Sequence, residues 1–159
     1  MRSRIQAEQL AQVTVEQSES LYQVEVSLPP PRIVLADDKR EVLRTVTVVL
    51  GSRFNVVGTA ENGRDAVNLV INLFPDVVVL DISMPIMNGF QAARRLKALH
   101  SPARVVFLTV QADPDFVEAA LSVGALGYVL KESLATDLAP AIWEVMQGNI
   151  FTSPSLPLH

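Results

Sequence analysis

The sequence predicts an α/β fold, a doubly wound five-stranded parallel sheet. Three observations predict it. Val77-Val78-Val79-Leu80 is apolar and mostly β-branched, as in a strand buried on both faces. That run ends on Asp81, and a Met84-Pro85 step and the Asn88-Gly89 turn follow at once, so the chain leaves the sheet there. From Arg32 onward, strand-like and helix-like patterns alternate five times, which implies parallel strands joined by right-handed crossovers with helices on both faces.

The elements follow in order. Ile33-Val34-Leu35-Ala36 reads as a buried strand ending in Asp37-Asp38. Arg40 to Leu50 carries a helical stripe of Val42, Leu43, Val46, Val49 and Leu50. Phe54 to Gly58 reads as a second, more edge-like strand. Asn62-Gly63 opens a helix through Ala66, Val67, Val70, Ile71 and Leu73, stopped by Pro75. After the Val77–Leu80 strand, Phe90 to Leu99 is a helix and Arg104 to Leu108 the fourth strand. Pro114 opens a helix carrying Phe116, Val117, Ala120 and Leu121, with Gly124 as its C-terminal glycine. Gly127-Tyr128-Val129-Leu130 is the fifth strand. Leu138 to Met146 is the last helix, and Pro140 inside it predicts a start near that proline rather than at Thr136.

Pro29-Pro30-Pro31 divides the chain. Residues 1–30 read as an extension or tail rich in Gln, Glu and Ser. Within it Ile5 to Val13 can form a short helix, and Tyr22, Val24, Val26 and Leu28 alternate as in a half-buried strand. The triple proline suits a stiff spacer. The main domain spans 31–153, and 154–159 reads as the start of a linker.

Composition narrows the function classes. Of 159 residues, 49% are apolar and 19% charged, enough for one packed domain. A net charge of −4 argues against nucleic-acid binding by bulk charge. The absence of cysteine excludes disulfides, thiolate metal sites and a thiol nucleophile. No apolar run approaches the ~20 residues a bilayer requires, and the first residues lack the apolar core of a secretory signal. The expectation is a cytoplasmic protein that contacts neither membrane nor, through this chain, nucleic acid.

The polar residues at the strand ends carry the chemistry. Strand one ends in Asp37-Asp38, strand three in Asp81, strand four in Thr109 and strand five in Lys131. In a sheet ordered 2-1-3-4-5 the crevice between strands one and three is the topological switch point. That order gathers Asp37, Asp38 and Asp81 around one crevice, with Thr109 and Lys131 beyond. Three carboxylates so placed repel one another unless a cation joins them. All-oxygen ligation favours Mg²⁺. Three carboxylates, one Mg²⁺ and Lys131 sum to zero formal charge, so an acyl phosphate on Asp81 leaves the site near −1. The Thr109 hydroxyl can donate to a phosphoryl oxygen.

These residues, with Leu80-Asp81-Ile82-Ser83-Met84-Pro85-Ile86-Met87-Asn88-Gly89, resemble the receiver domain of bacterial two-component response regulators, the CheY-like fold. The resemblance spans Arg32 to Ser153. It implies that Asp81 accepts the phosphoryl group. It also implies that Asp38 ligates Mg²⁺ directly, that Asp37 acts largely through water, and that the Ser83 carbonyl completes the ligands. Thr109 is the switch hydroxyl and Lys131 the paired cation. Gly124 to Ser133, Ala141-Ile142-Trp143 and Gly148 to Pro154 resemble the NarL/FixJ subfamily in particular. The implied partner is a sensor histidine kinase or phosphotransfer protein, with a homodimer as a further possibility. The implied role is the receiver part of a transcriptional regulator; the alternative is a stand-alone receiver in a phosphorelay or scaffold.

Some residues stay open or fall outside the pattern. Tyr128 is either an aromatic switch moving with Thr109 or a core aromatic. Ser83 and Gln111, two residues past Asp81 and Thr109, either tune dephosphorylation or serve the loops. Met84 and Met87 read as packing and turn residues, and Trp143 as partial core. A flavin-binding relative would need a Ser/Thr/Gly-rich phosphate loop where Asp37-Asp38 stands. A phosphatase of the haloacid dehalogenase type would need an acid at Ser83. Both are disfavoured, leaving a signalling module that catalyses its own phosphorylation rather than a turnover enzyme.

Overall fold

The structure, a computed structural model, describes residues 29–157. The helix suggested for Ile5–Val13 and the strand for Tyr22–Leu28 lie outside the described residues. Six strands form one parallel sheet: β1 (Arg32–Ala36), β2 (Asn55–Ala60), β3 (Val77–Leu80), β4 (Arg104–Thr109), β5 (Gly127–Leu130) and β6 (Phe151–Thr152). Their order is β2-β1-β3-β4-β5-β6. Five helices connect them: α1 (Arg40–Leu50), α2 (Gly63–Leu73), α3 (Gly89–Ala98), α4 (Pro114–Ser122) and α5 (Leu134–Met146).

The apolar runs serve both faces because successive strand side chains point to opposite sides. Val34, Val78, Leu80, Phe107 and Tyr128 join Ala66, Val70, Ala92, Leu96, Val117 and Ala120 of α2, α3 and α4. Ile33, Leu35, Val77, Val79, Val106, Leu108 and Val129 join Leu43, Val46, Leu50, Leu138 and Ile142 of α1 and α5. The sheet is thus doubly wound, as the alternating pattern predicts.

Helix starts follow local chemistry. The Asn62 side chain accepts from the Asp65 N–H at 2.8 Å, which caps α2. Asn88 and Gln91 form a reciprocal capping box at the start of α3. Asp113 caps α4, with Pro114 in its first turn.

Three expectations need correction. The sheet has six strands, not five, because Phe151–Thr152 pairs in parallel with Gly127–Tyr128 of β5. Packing then continues to Leu156, which is buried in the core shared with α3 and α4. The last helix begins at Leu134, not near Pro140. A 3₁₀ turn over Lys131–Ser133 leads directly into it. Pro140 and Thr136 are both exposed, so the carbonyl that loses its helical partner faces solvent. Finally, β2 runs from Asn55 to Ala60 rather than from Phe54 to Gly58.

Candidate functional site

Asp37, Asp38, Asp81, Thr109 and Lys131 each sit where a strand ends. β1 stops at Ala36, and Asp37 and Asp38 follow as the backbone leaves the sheet. Asp37 is buried and Asp38 exposed. The Lys39 N–H donates to Asp37 Oδ1 at 2.9 Å, a local turn that fixes this carboxylate. Asp81 follows β3 and is anchored by its own N–H donating to the Ala36 carbonyl at 2.9 Å. Oxygen atoms of Asp37, Asp38 and Asp81 all lie within 4.8 Å of one another.

Lys131, immediately after β5, reaches across to this cluster. Its Nζ lies 2.7 Å from Asp37 Oδ2 and 3.2 Å from Asp81 Oδ2, and the second contact is a hydrogen bond. The first is an ion pair without hydrogen-bond alignment, which leaves the buried Asp37 Oδ2 with no aligned donor. The crevice and Lys131 therefore form one charge cluster, closer than the strand order alone implies.

The electrostatics follow from burial and crowding. Burial, and then the charge of Asp37, raise the Asp81 carboxyl above the usual carboxylate value, against the opposing pull of Lys131. Burial acts to lower the Lys131 ammonium, but the two carboxylates it touches, Asp37 and Asp81, outweigh it, and the net direction is upward. A buried oxygen without an aligned donor, a carboxylate whose ionisation is opposed, and a donor set of oxygens alone together suit a hard divalent cation.

Thr109 ends β4 and is almost fully buried. Its hydroxyl accepts from the Gln111 N–H at 3.2 Å and hydrogen-bonds to no carboxylate. Tyr128 is fully buried on β5, and its hydroxyl donates to the Gln111 carbonyl at 2.7 Å. Burial, followed by the charge of Asp113, pushes this phenol upward. One residue, Gln111, thus holds both hydroxyls, that of Thr109 through its N–H and that of Tyr128 through its carbonyl. Ser83 is exposed on the loop after Asp81, and Met84 is buried as a packing residue. Trp143 is 41% exposed and rests against Phe54 at a centroid distance of 5.2 Å.

Two glycines essential to this geometry carry no chemistry and were missed as site residues. A Cβ on Gly89 would overlap the Asp81 carbonyl oxygen, and one on Gly63 the Met87 carbonyl oxygen. Gly89 N–H donates to the Ile82 carbonyl and Gly63 N–H to that of Met87, each at 2.8 Å. Only glycine lets α3 and α2 approach the loop this closely. The available signal was the Asn-Gly pair repeated at the start of each helix.

The structure is thus a doubly wound parallel sheet with an acidic cluster at its switch point and a lysine from the fifth strand end beside it. Residues 33–142 match the response regulator receiver domain family, and the chain belongs to it. The uncharacterized transcriptional regulatory protein YvfU of Bacillus subtilis is 35% identical over 130 residues, covering 80% of this chain and 65% of its own length. The nitrate/nitrite response regulator protein NarL of Escherichia coli is 34% identical over 130 residues, covering 80% and 60%. The crystal structure of a LuxR-family two-component response regulator from Aurantimonas sp. SI85-9A1 superposes with a TM-score of 0.76 at 30% identity, covering 80% of this chain and 92% of that one. These likenesses agree with the NarL/FixJ resemblance read from the motifs. The chain spans 54% to 65% of the length of the curated relatives it matches. Because those relatives are named transcriptional regulators, the expectation of no nucleic-acid contact finds no support in them. Among the described residues, no helix is long and apolar enough to cross a membrane.

Proposed function

We infer that this chain takes a phosphoryl group from a sensor histidine kinase or phosphotransfer protein onto Asp81. The observation that carries the reading is the cluster of three carboxylates within 4.8 Å, two of them touched by Lys131. Asp38, Asp37, Asp81 and the Ser83 carbonyl would hold Mg²⁺. When bound, the ion offsets the crowded negative charge and that of an incoming phosphoryl group.

The protein's own groups do the rest. The Asp81 carboxylate is the nucleophile, held in place by its backbone bond to β1. Lys131, already beside Asp81 Oδ2, is placed to bond a phosphoryl oxygen. Thr109 can rotate its hydroxyl toward the same group, giving up the Gln111 N–H. That would disturb Gln111, whose carbonyl holds the Tyr128 hydroxyl, and so pass the change to β5. The Thr109 and Lys131 contacts are each worth ~1.5–3 kcal/mol as charge-assisted hydrogen bonds, and their difference between the two states drives the switch. Incubation with acetyl phosphate and Mg²⁺ is expected to add one phosphoryl group by intact mass. Asp81→Asn is expected to add none; equal labelling of that variant would remove Asp81 from the role.

At the level of the whole protein, we place residues 31–153, with the packed continuation through Leu156, as the receiver part of a cytoplasmic transcriptional regulator. The names of the relatives and their greater length support this. Phosphorylation is expected to change self-association through α4, β5 and α5. Sedimentation with and without beryllofluoride, on wild type and on Thr109→Ala, measures it. A mimic that binds both proteins and shifts both equally would take Thr109 out of the switch.

A further inference from the structure

An open groove of about 580 Å³ runs from the acidic cluster across the loop after Asp81 to α4. Asp38 and Ser83 line it beside the cluster, Phe90 and Phe116 line it at the starts of α3 and α4, and Met84 and Asn88 line it as well. Asp38 is part of the carboxylate cluster, since one of its oxygens lies within 4.8 Å of one on Asp81. The lining at Phe90 and Phe116 is aromatic by construction. Phe107, fully buried on β4, packs against Phe90 at a centroid distance of 5.2 Å. Phe90 in turn stacks on Phe116 at 6.2 Å with 22° between the ring planes. The three rings form a ladder from core to surface, and its outermost member, half-exposed, borders the groove. Nothing in the carboxylate chemistry requires an aromatic surface here.

We propose that this groove receives the leaving group of the phosphodonor, and that Phe116 gives the site a preference for donors whose leaving group is planar and aromatic. The inference rests on Asp81 as phospho-acceptor. In the transfer, an Asp81 carboxylate oxygen bonds to phosphorus as the bond from phosphorus to the leaving group breaks. The electron pair departs with that group, as a carboxylate from an acyl phosphate, or as an imidazole that takes a proton from water. A flat ring departing over Asp38 and Ser83 finds Phe116 for offset stacking. A methyl group in its place has no ring face to stack.

Benzoyl phosphate and acetyl phosphate separate shape from chemistry, because both release a carboxylate. Initial rates of Asp81 labelling are measured at equal, subsaturating donor with Mg²⁺ on the full chain. The expected benzoyl-to-acetyl rate ratio in wild type is about five- to tenfold, the size of one aromatic stacking contact. Phe116→Ala and Phe116→Leu are expected to bring the ratio close to one, and Phe116→Tyr to restore it. Using Leu alongside Ala keeps the position filled, so loss of the ratio in both reports the ring face rather than unfolding. A wild-type ratio near one, or a ratio untouched by either truncation, overturns the groove assignment while leaving Asp81 as acceptor. Absence of labelling by both donors overturns the phospho-acceptor reading and the groove with it.

Discussion

Asp81 lies between two opposing demands, and the sign of its stability effect follows. Its carboxyl is raised above the ordinary value in the folded protein by burial and by Asp37. The folded state therefore holds the proton more tightly than the unfolded chain does. That contribution is complete below the unfolded value and is lost as pH rises through the folded one. The ionised carboxylate accordingly costs stability at neutral pH. Asp81→Asn is expected to melt higher than wild type at about pH 7 without metal, and to lose the advantage at about pH 3, where both side chains are neutral. Adding Mg²⁺ is expected to narrow the gap from the other side, by stabilising wild type. Thermal melts at both pH values decide it; a variant less stable than wild type at neutral pH would contradict the charge balance. Gly89 is a second residue-scale case. Gly89→Ala forces a methyl into the Asp81 carbonyl and is expected to destabilise by about 1–3 kcal/mol, as overpacking does, while displacing Asp81.

Among the elements, the loop between β3 and α3 is held under strain. Ile86 has a φ of +70°, a left-handed value rare for a β-branched residue, and Met87 N–H donates to the Pro85 carbonyl across it at 2.7 Å. Its side chain is 67% exposed, so no burial offsets the strain. Ile86→Asn, which tolerates this backbone, is expected to stabilise by about 1 kcal/mol in urea unfolding. This loop also marks where sequence reading stopped. β3 and β5 were legible to the residue, because a four-residue apolar run between polar or turn residues has one reading. β6 was not, since two residues carry no periodicity and its partner is supplied only by the fold. The start of α5 was obscured by Pro140, whose cost depends on whether the lost bond faces water. At the site, Asp37, Asp38, Asp81 and Lys131 announced themselves by type and by position at strand ends. Gly63 and Gly89 did not, because what they contribute is the absence of atoms. The bond from Tyr128 to the Gln111 carbonyl was equally hidden, as no side-chain pattern encodes a backbone acceptor.

Taken whole, the described unit has two cores sharing one sheet. Phe107 belongs to the α2–α3–α4 side and Ile142 to the α1–α5 side. Because β1 to β5 each donate side chains to both, neither core can melt while the other keeps its sheet. Phe107→Ala is expected to cost about 3–5 kcal/mol and Ile142→Ala about 2–5 kcal/mol. Each is expected to shift one common transition, seen alike by Trp143 fluorescence and far-ultraviolet circular dichroism. Trp143, the one tryptophan in the sequence, reports the α1–α5 side against Phe54. Two separated transitions in the Phe107→Ala variant would show that the faces unfold independently.

The short sixth strand has a consequence for colloidal behaviour. A parallel sheet ending on β5 would present Tyr128, Val129 and Leu130 with a free row of backbone groups, a template onto which another copy can pair. β6 occupies the first half of that row, the Ser153 hydroxyl takes up the Leu130 N–H at 3.0 Å, and Pro154 follows with no N–H to offer. Two residues, a hydroxyl and a proline thus act as a guard against edge-to-edge aggregation. Truncation after Asn149 is expected to yield a chain that scatters light and precipitates on concentration, where the full chain stays clear.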